Sequence, residues 1–390
     1  MNTKTFAAQY VFTNEGNPIK NGAVTVNETT GEIIEIKTLT QETPFTEFYN
    51  GIIIPGFVNA HCHLELCHLK DKVKNANSLL DFLLQMFQLS DSVYNENLTS
   101  GWDKYMYETG VSVVGDISNT SDTANVKKHS KIRYINFVEL IGTTSERCKN
   151  DIEQYKTVRE KFLAANQNAD EIIACAHAPY SVSPELFKTI DLLNGKNKKM
   201  ISIHNQESFD ENLLYKNHSG GFVERFPLDL SSIPATGKTS LQSINQSDYQ
   251  RVIFVHNIYS SDEDLDFAKI NYKEPYFVVC PKSNLMLEKK MIDVKKLISR
   301  DLPVCIGTDS LSSNNSLSMI DELKVFSENF PQIPLTDIIK FATKNGAKAL
   351  GLESEFGTLS KGKTPGIVLI ENIDFQEFKL TKDSTARRLK

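Results

Sequence analysis

Eight short apolar runs recur along this 390-residue chain, separated by stretches of helical periodicity, and that alternation limits the fold more than any other feature. The runs are Ile52 to Leu64, Val111 to Ser118, Ile132 to Leu140, Ile172 to Pro179, Met200 to Ser208, Arg251 to Ile258, Tyr276 to Asn284 and Pro303 to Ser310. Most are continuously hydrophobic instead of alternating, as in parallel strands covered on both faces. Helices are expected between them. Leu, Phe and Met recur at helical spacing from Ser78 to Phe87, Pro184 follows Ser183 as at a helix start, and Ser260 to Leu265 reads as a capped N-terminus. Strand and helix in turn, eight times over, predict an α/β fold of the (β/α)8 TIM-barrel kind.

The two ends do not continue that rhythm. Ala23 to Asn27 and Glu32 to Lys37 alternate apolar with polar residues, and Gly16, Gly22 and Gly31 punctuate them. Gly366 to Ile370 has the same character. A small β-sandwich domain of residues 1–50 with 356–390 is therefore expected beside a catalytic barrel of residues 51–355. Composition closes off other classes. A formal net charge of −6 leaves no basic footprint for nucleic acid or anionic lipid. There is no run of 18 apolar residues and no apolar signal core near Met1, so a cytoplasmic protein with no membrane partner is expected. Six cysteines lack any Cys-x-x-Cys pair, and Cys175, Cys280 and Cys305 lie inside apolar runs. All six are expected to be reduced, with Cys62 directed away from the histidines on either side of it.

Polar groups gather at the ends of these runs. His61 and His63 are two residues apart on a strand, so their imidazoles share one face. His177 closes the fourth run, His204 lies near the end of the fifth, His256 closes the sixth and Asp309 the eighth. A barrel carries its active site at the carboxyl ends of its strands, so all six converge on one mouth. Three neutral imidazoles and a carboxylate suit zinc, iron(II) or cobalt with room for a water, and such an ion lowers the pKa of that water to roughly 7. Glu207, three residues beyond His204, can shuttle a proton, and His256 can orient the attacking oxygen.

These residues resemble the amidohydrolase superfamily in its deaminase and chlorohydrolase branch (ATZ/TRZ-like), over almost the full length. The motifs that carry the resemblance are Pro55-Gly56-Phe57-Val58-Asn59-Ala60-His61-Cys62-His63-Leu64-Glu65-Leu66, His177-Ala178-Pro179-Tyr180-Ser181-Val182 and His204-Asn205-Gln206-Glu207. Val255-His256, Cys280-Pro281-Lys282-Ser283-Asn284 and Gly307-Thr308-Asp309-Ser310 followed by Ser313-Asn314-Asn315 complete the set. The resemblance implies one divalent metal ion, zinc or iron(II), held by His61, His63, His204 and Asp309. The fourth run has no lysine of the kind that bridges two metals, so the site is expected to be mononuclear. Glu207 would carry a proton to the leaving amine, His256 would hydrogen-bond the attacking oxygen, and Asp309 would also accept its proton.

Substrate contacts follow from the same resemblance. His177 is expected to touch the nucleoside, with structuring of the barrel rim as the competing role. Glu65 is expected to face the substrate, with loop capping as its alternative. Glu139, at the end of the third run, is placed in the pocket or in a rim salt bridge. One departure is the turn Gly362-Lys363-Thr364-Pro365-Gly366-Ile367, which lacks the aspartate usual in the family. The absence of a Pro-Cys-x-x-Cys pair sets aside the other class of zinc deaminase.

The expected reaction is hydrolytic removal of an exocyclic amine, as ammonia, from an adenine-type nucleoside such as aminodeoxyfutalosine or from a related purine or pterin. The runner-up is hydrolysis of an imidazolone-like cyclic amide on the same metal site, and a third reading is a non-catalytic metal-binding scaffold. The loops from Lys70 to Asn77 and from Asn212 to Ser232 are expected to carry substrate selectivity. Similar proteins pair through exposed barrel helices, so a homodimer is expected as well.

Overall fold

Every one of the eight expected runs contains a parallel strand, and their boundaries show which residues the chain spends on the site. A computed structural model describes residues 2–39, 46–89, 92–196 and 198–390. Its strands in chain order are β1 (Thr3–Val11), β2 (Ile19–Asn27), β3 (Ile33–Thr38), β4 (Thr46–Pro55), β5 (Phe57–Cys62), β6 (Val111–Ser118) and β7 (Arg133–Leu140). They continue with β8 (Ile172–Ala176), β9 (Met200–Asn205), β10 (Arg251–His256), β11 (Glu274–Val279), β12 (Val304–Ile306), β13 (Ile367–Asp374) and β14 (Lys379–Arg388).

Strands β5 to β8 form one four-stranded sheet and β9 to β12 another, with parallel pairing throughout. All eight residues of β6 are buried, which the unbroken apolar run requires of a strand covered on both faces. The sheets approach each other along both outer edges. On one side the amides of Thr308 and Asp309 both donate to the His61 carbonyl at 3.0 Å. Asn59 Nδ2 reaches Thr308 Oγ1 at 2.8 Å on the same edge. On the other side the His204 amide donates to the His177 carbonyl at 3.0 Å. A Cβ on Gly307 would sit 2.8 Å from the His61 carbonyl oxygen, so only glycine lets β12 approach β5 this closely.

The expected helix starts are present. Ser78 caps Leu79–Gln88 by accepting from the Asp81 amide, Ser183 caps Pro184–Leu193, and Ser261 makes a capping box with Asp264 at Asp262–Asn271. No helix among the described residues is long and apolar enough to cross a membrane. All six cysteines are buried and unpaired.

Two expectations need correction. The run Ile52 to Leu64 is not one strand: Ile52–Pro55 end β4, while β5 starts at Phe57 and pairs with β6. The break falls at Gly56, where a Cβ would lie 1.9 Å from Ser112 Oγ. The terminal strands also differ from a sandwich. Among the described residues they form one six-stranded sheet in the order β14-β13-β4-β1-β2-β3. A single layer suffices because β4 has two apolar faces. Ile52 and Ile54 pack into the main core of the parallel strands, whereas Ile53 joins Phe6, Val11, Val24 and Ile33 in a separate cluster.

Candidate metal centre and active site

The end of β5 brings two imidazoles to one point, as alternation along a strand dictates. His61 Nε2 and His63 Nε2 lie 3.2 Å apart, and His204 Nε2, from β9, lies 3.3 Å from His63 Nε2. Asp309 Oδ1 completes the group at 3.7 Å from His61 Nε2 and 3.5 Å from His63 Nε2. All four residues are buried.

The residues fit a divalent cation. Metal–nitrogen bonds of about 2.0–2.1 Å at tetrahedral angles place donor nitrogens roughly 3.3–3.4 Å apart. Burial holds His61 and His63 below the usual histidine range, His63 at about 4, so both are neutral and present lone pairs. Their Nδ1 atoms are buried without hydrogen-bond partners among the described residues, which leaves the converging Nε2 atoms as the functional ends. His204 differs. Its Nδ1 faces the His177 carbonyl at 2.9 Å and Glu139 Oε1 at 3.2 Å, so Nδ1 keeps a proton and Nε2 is the end turned toward the other imidazoles. Burial opposes charge on His204, but the Glu139 carboxylate holds its pKa up at about 9, so a cation held here would take the place of the Nε2 proton.

Glu207 and His256 stand beside this cluster, with His256 Nε2 3.6 Å from Glu207 Oε1. Donor atoms of Glu207, His256 and Asp309 all lie within 4.8 Å of one another. Burial, reinforced by the Asp309 charge, pushes the Glu207 carboxyl well above its ordinary value, which favours its protonated form. Burial alone would also raise Asp309. The His61 hydrogen bond and the electrostatic influence of the His256 and His63 rings outweigh it and hold the aspartate well below its ordinary value. Asp309 Oδ2 accepts from Ser283 Oγ at 2.6 Å and Ser313 Oγ at 3.0 Å, and Oδ1 accepts from the Ser310 amide at 2.7 Å.

The backbone at these strand ends is bent into the left-handed region. Gln206 has φ +46°, His256 +73°, Asn257 +50° and Asp309 +59°. Such conformations persist only where the surroundings over-determine them. Around Gln206 they do: its side chain donates to Asn212 Oδ1 and Asp264 Oδ2 and accepts from Ser260, while its amide donates to Glu211.

The three residues expected to contact substrate take different positions. His177 is half-buried, with Nδ1 on Ser181 Oγ at 2.8 Å and its ring centroid 5.0 Å from that of His204, so it borders the metal cluster. Glu139 lies behind His204, where its other oxygen accepts from Asn119 Nδ2 at 3.2 Å. Glu65 gives both oxygens to the loop after β6. It accepts from the amide and side chain of Asn119 at 2.8 and 3.0 Å, and from the amide and hydroxyl of Thr120 at 2.9 and 3.0 Å. A substrate contact by Glu65 would have to displace one of those bonds.

Sequence reading assigned no role to Asn119, Ser283, Ser313 or Asn284. Only the last three fall within motifs that point here, Cys280-Pro281-Lys282-Ser283-Asn284 and Ser313-Asn314-Asn315. The two loops expected to govern selectivity do meet. Val73 and Ala76 from one, and Leu214, Tyr215, Phe222 and Leu230 from the other, join Ala178 and Tyr180 in one apolar cluster next to the His177 turn. Tyr180 and Phe222 stack there with centroids 4.4 Å apart.

Comparison with known proteins places this arrangement. Residues 52–387 match the model of the Amidohydrolase family. An adenosine deaminase of Helicobacter pylori is 29% identical over 351 residues, covering 86% of this chain and 84% of its own. The aminodeoxyfutalosine deaminase of a Nitratiruptor species is 28% identical over 337 residues, covering 83% and 79%. Among solved structures, Helicobacter pylori aminofutalosine deaminase in complex with methylthio-coformycin superposes with a TM-score of 0.80 at 26% identity, covering 97% of this chain and 94% of that one. The chain belongs to the amidohydrolase family and is a hydrolase acting on carbon–nitrogen bonds.

Proposed function

We propose that the protein is a metal-dependent hydrolytic deaminase of an adenine-type nucleoside, with aminodeoxyfutalosine as the specific substrate. The observation that carries this reading is the buried Glu207 set beside His256 and Asp309, next to three converging imidazoles. Related chains named as adenosine and aminodeoxyfutalosine deaminases supply the substrate class. His61, His63, His204 and Asp309 hold one divalent ion, zinc or iron(II), a choice the ligand set leaves open. Such an ion acidifies water and neutralises charge developing at the attacked carbon.

The protein's own groups do the rest. His256 donates from Nε2 to the attacking oxygen, Asp309 accepts the proton released there, and Glu207 delivers its proton to the exocyclic nitrogen, which leaves as ammonia. His177 borders the substrate, and Glu139 and Glu65 secure the pocket wall from behind. For this work the eight parallel strands act as one closed barrel, residues 51–355, carried on the domain of residues 1–50 with 356–390. The protein works in the cytoplasm on a small molecule, as a homodimer.

The test is ammonia release by the zinc-loaded protein across adenosine, methylthioadenosine, S-adenosylhomocysteine, aminodeoxyfutalosine, guanine and pterins. The expected result is release from one adenine nucleoside, with turnover lowered by about 10²–10⁴-fold in Glu207→Gln at unchanged metal content. Silence across the panel with metal bound would transfer the site to cyclic-amide hydrolysis, and an unchanged rate in Glu207→Gln would remove the proton-delivery role.

A further inference from the structure

The deaminase reading needs a proton on His256 Nε2, and on that reading rests a further assignment. We infer that Asn284 is a positioning residue that fixes His256 as the Nε2–H tautomer. Asn284 is fully buried near the start of the helix Pro281–Glu288, on the far side of the imidazole from Glu207. Its Nδ2 lies 2.7 Å from His256 Nδ1.

An amide alone does not settle a tautomer, because it can be turned over to offer oxygen instead of nitrogen. Here the other end of the same amide removes the ambiguity. The backbone N–H of Cys280 donates to Asn284 Oδ1 at 3.3 Å, and a backbone N–H can only donate. The atom facing Cys280 is therefore oxygen, and the atom facing His256 is the NH2 group. His256 Nδ1 must accept, and the single proton of the neutral ring sits on Nε2, on the side of Glu207 and Asp309. The motif Cys280-Pro281-Lys282-Ser283-Asn284 thus divides its work: Ser283 holds the Asp309 carboxylate and Asn284 orients the proton donor opposite it.

The substitution that isolates this role is Asn284→Asp, which keeps the shape and the acceptor for Cys280 but presents an acceptor to His256 Nδ1. The proton should move to Nδ1 and leave Nε2 as a lone pair facing two acidic groups. Nitrogen-15 spectra of the zinc-loaded, diamagnetic protein labelled at its eight histidines read the tautomer directly, with His256→Gln assigning the signal. The expected result is a pyrrole-type Nε2 in the parent protein and a pyrrole-type Nδ1 in Asn284→Asp. Turnover should fall with it by about 10²-fold or more, with little change in KM or zinc content.

Should Asn284→Asp fail to fold, Asn284→Ala serves: two tautomers should then be populated, with a smaller fall in kcat. A parent protein with the proton on Nδ1, a tautomer indifferent to both substitutions, or a tautomer that moves without loss of kcat would each overturn the assignment. Because the spectra need no substrate, a protein that shows the Nε2–H tautomer yet releases no ammonia refutes the deaminase reading alone.

Discussion

The two four-stranded sheets share one site but hold their parts of it differently. The sheet β5–β8 and the turns that follow its strands contribute His61, His63, Glu65, Glu139 and His177, and none of these has a left-handed backbone. The sheet β9–β12 contributes His204, Glu207, His256 and Asp309, and the chain turns left-handed at Gln206, His256, Asn257 and Asp309. The first half needs only that side chains emerge on a chosen face, which ordinary strand alternation supplies. On the proposed mechanism the acid, base and proton donor of the second half must meet within a few ångströms from three strand ends, and regular extended backbone does not aim them so. Bent backbone does, at a cost met by buried hydrogen bonds around each bend.

If this division is right, damage to the first half should be read in metal and damage to the second in proton transfer. The largest effect is expected for His61→Ala. Removing one of three converging imidazoles leaves Asp309 and two histidines facing a gap in a fully buried cluster. Elemental analysis after gel filtration should find the metal gone and turnover abolished, in contrast with Glu207→Gln, which keeps its ion. Full metal occupancy in His61→Ala would contradict the ligand assignment.

Glu139→Gln should act on the same property more mildly. The glutamine can still accept from His204 Nδ1, but it loses the charge that makes the ring a stronger donor at Nε2. Metal affinity should weaken by about 10–100-fold, with turnover recovered at saturating metal. Burial would by itself raise the Glu139 pKa, yet the neighbouring His177 and His204 hold it well below the ordinary range, so the carboxylate is ionised wherever the enzyme works. A fall in turnover that excess metal does not restore would move Glu139 from the metal's support to the substrate's.

What the sequence could announce follows the same line. Continuous apolar runs located the parallel strands, β6 to the residue, because burial on both faces leaves an unbroken signal. His61 and His63 were legible because period-2 geometry is local. For Glu65 the sequence left two roles open, substrate contact and loop capping, because Leu64–Leu69 form a 3-10 helix in which strand alternation no longer predicts a face; its oxygens accept from the loop at Asn119 and Thr120. The break at Gly56 depends on Ser112, and the work of Asn284 depends on His256; neither partner is near in sequence. Residues whose role is set by a distant contact carry no periodic mark, and only a family motif can flag them.

The smallest expected effect probes the bent backbone itself. Gln206→Gly should relieve about 1–2 kcal/mol of left-handed strain, since glycine adopts φ +46° freely. It also deletes the side chain that ties Asn212, between β9 and β10, to Ser260 and Asp264, which follow β10. Leaving a buried polar group unpaired costs about 1–3 kcal/mol, and Asn212, Asp264 and Ser260 each lose one partner here while keeping another. The balance should be a net loss of about 1–3 kcal/mol in unfolding free energy, read by urea denaturation of the metal-loaded protein, with the larger relative loss in turnover because Glu207 is the next residue. A glycine variant more stable than its parent would mean that strain at Gln206 outweighs its hydrogen bonds. The left-handed turn would then be held by the fold at large, and the contrast between the two sheets would lie in their backbone alone.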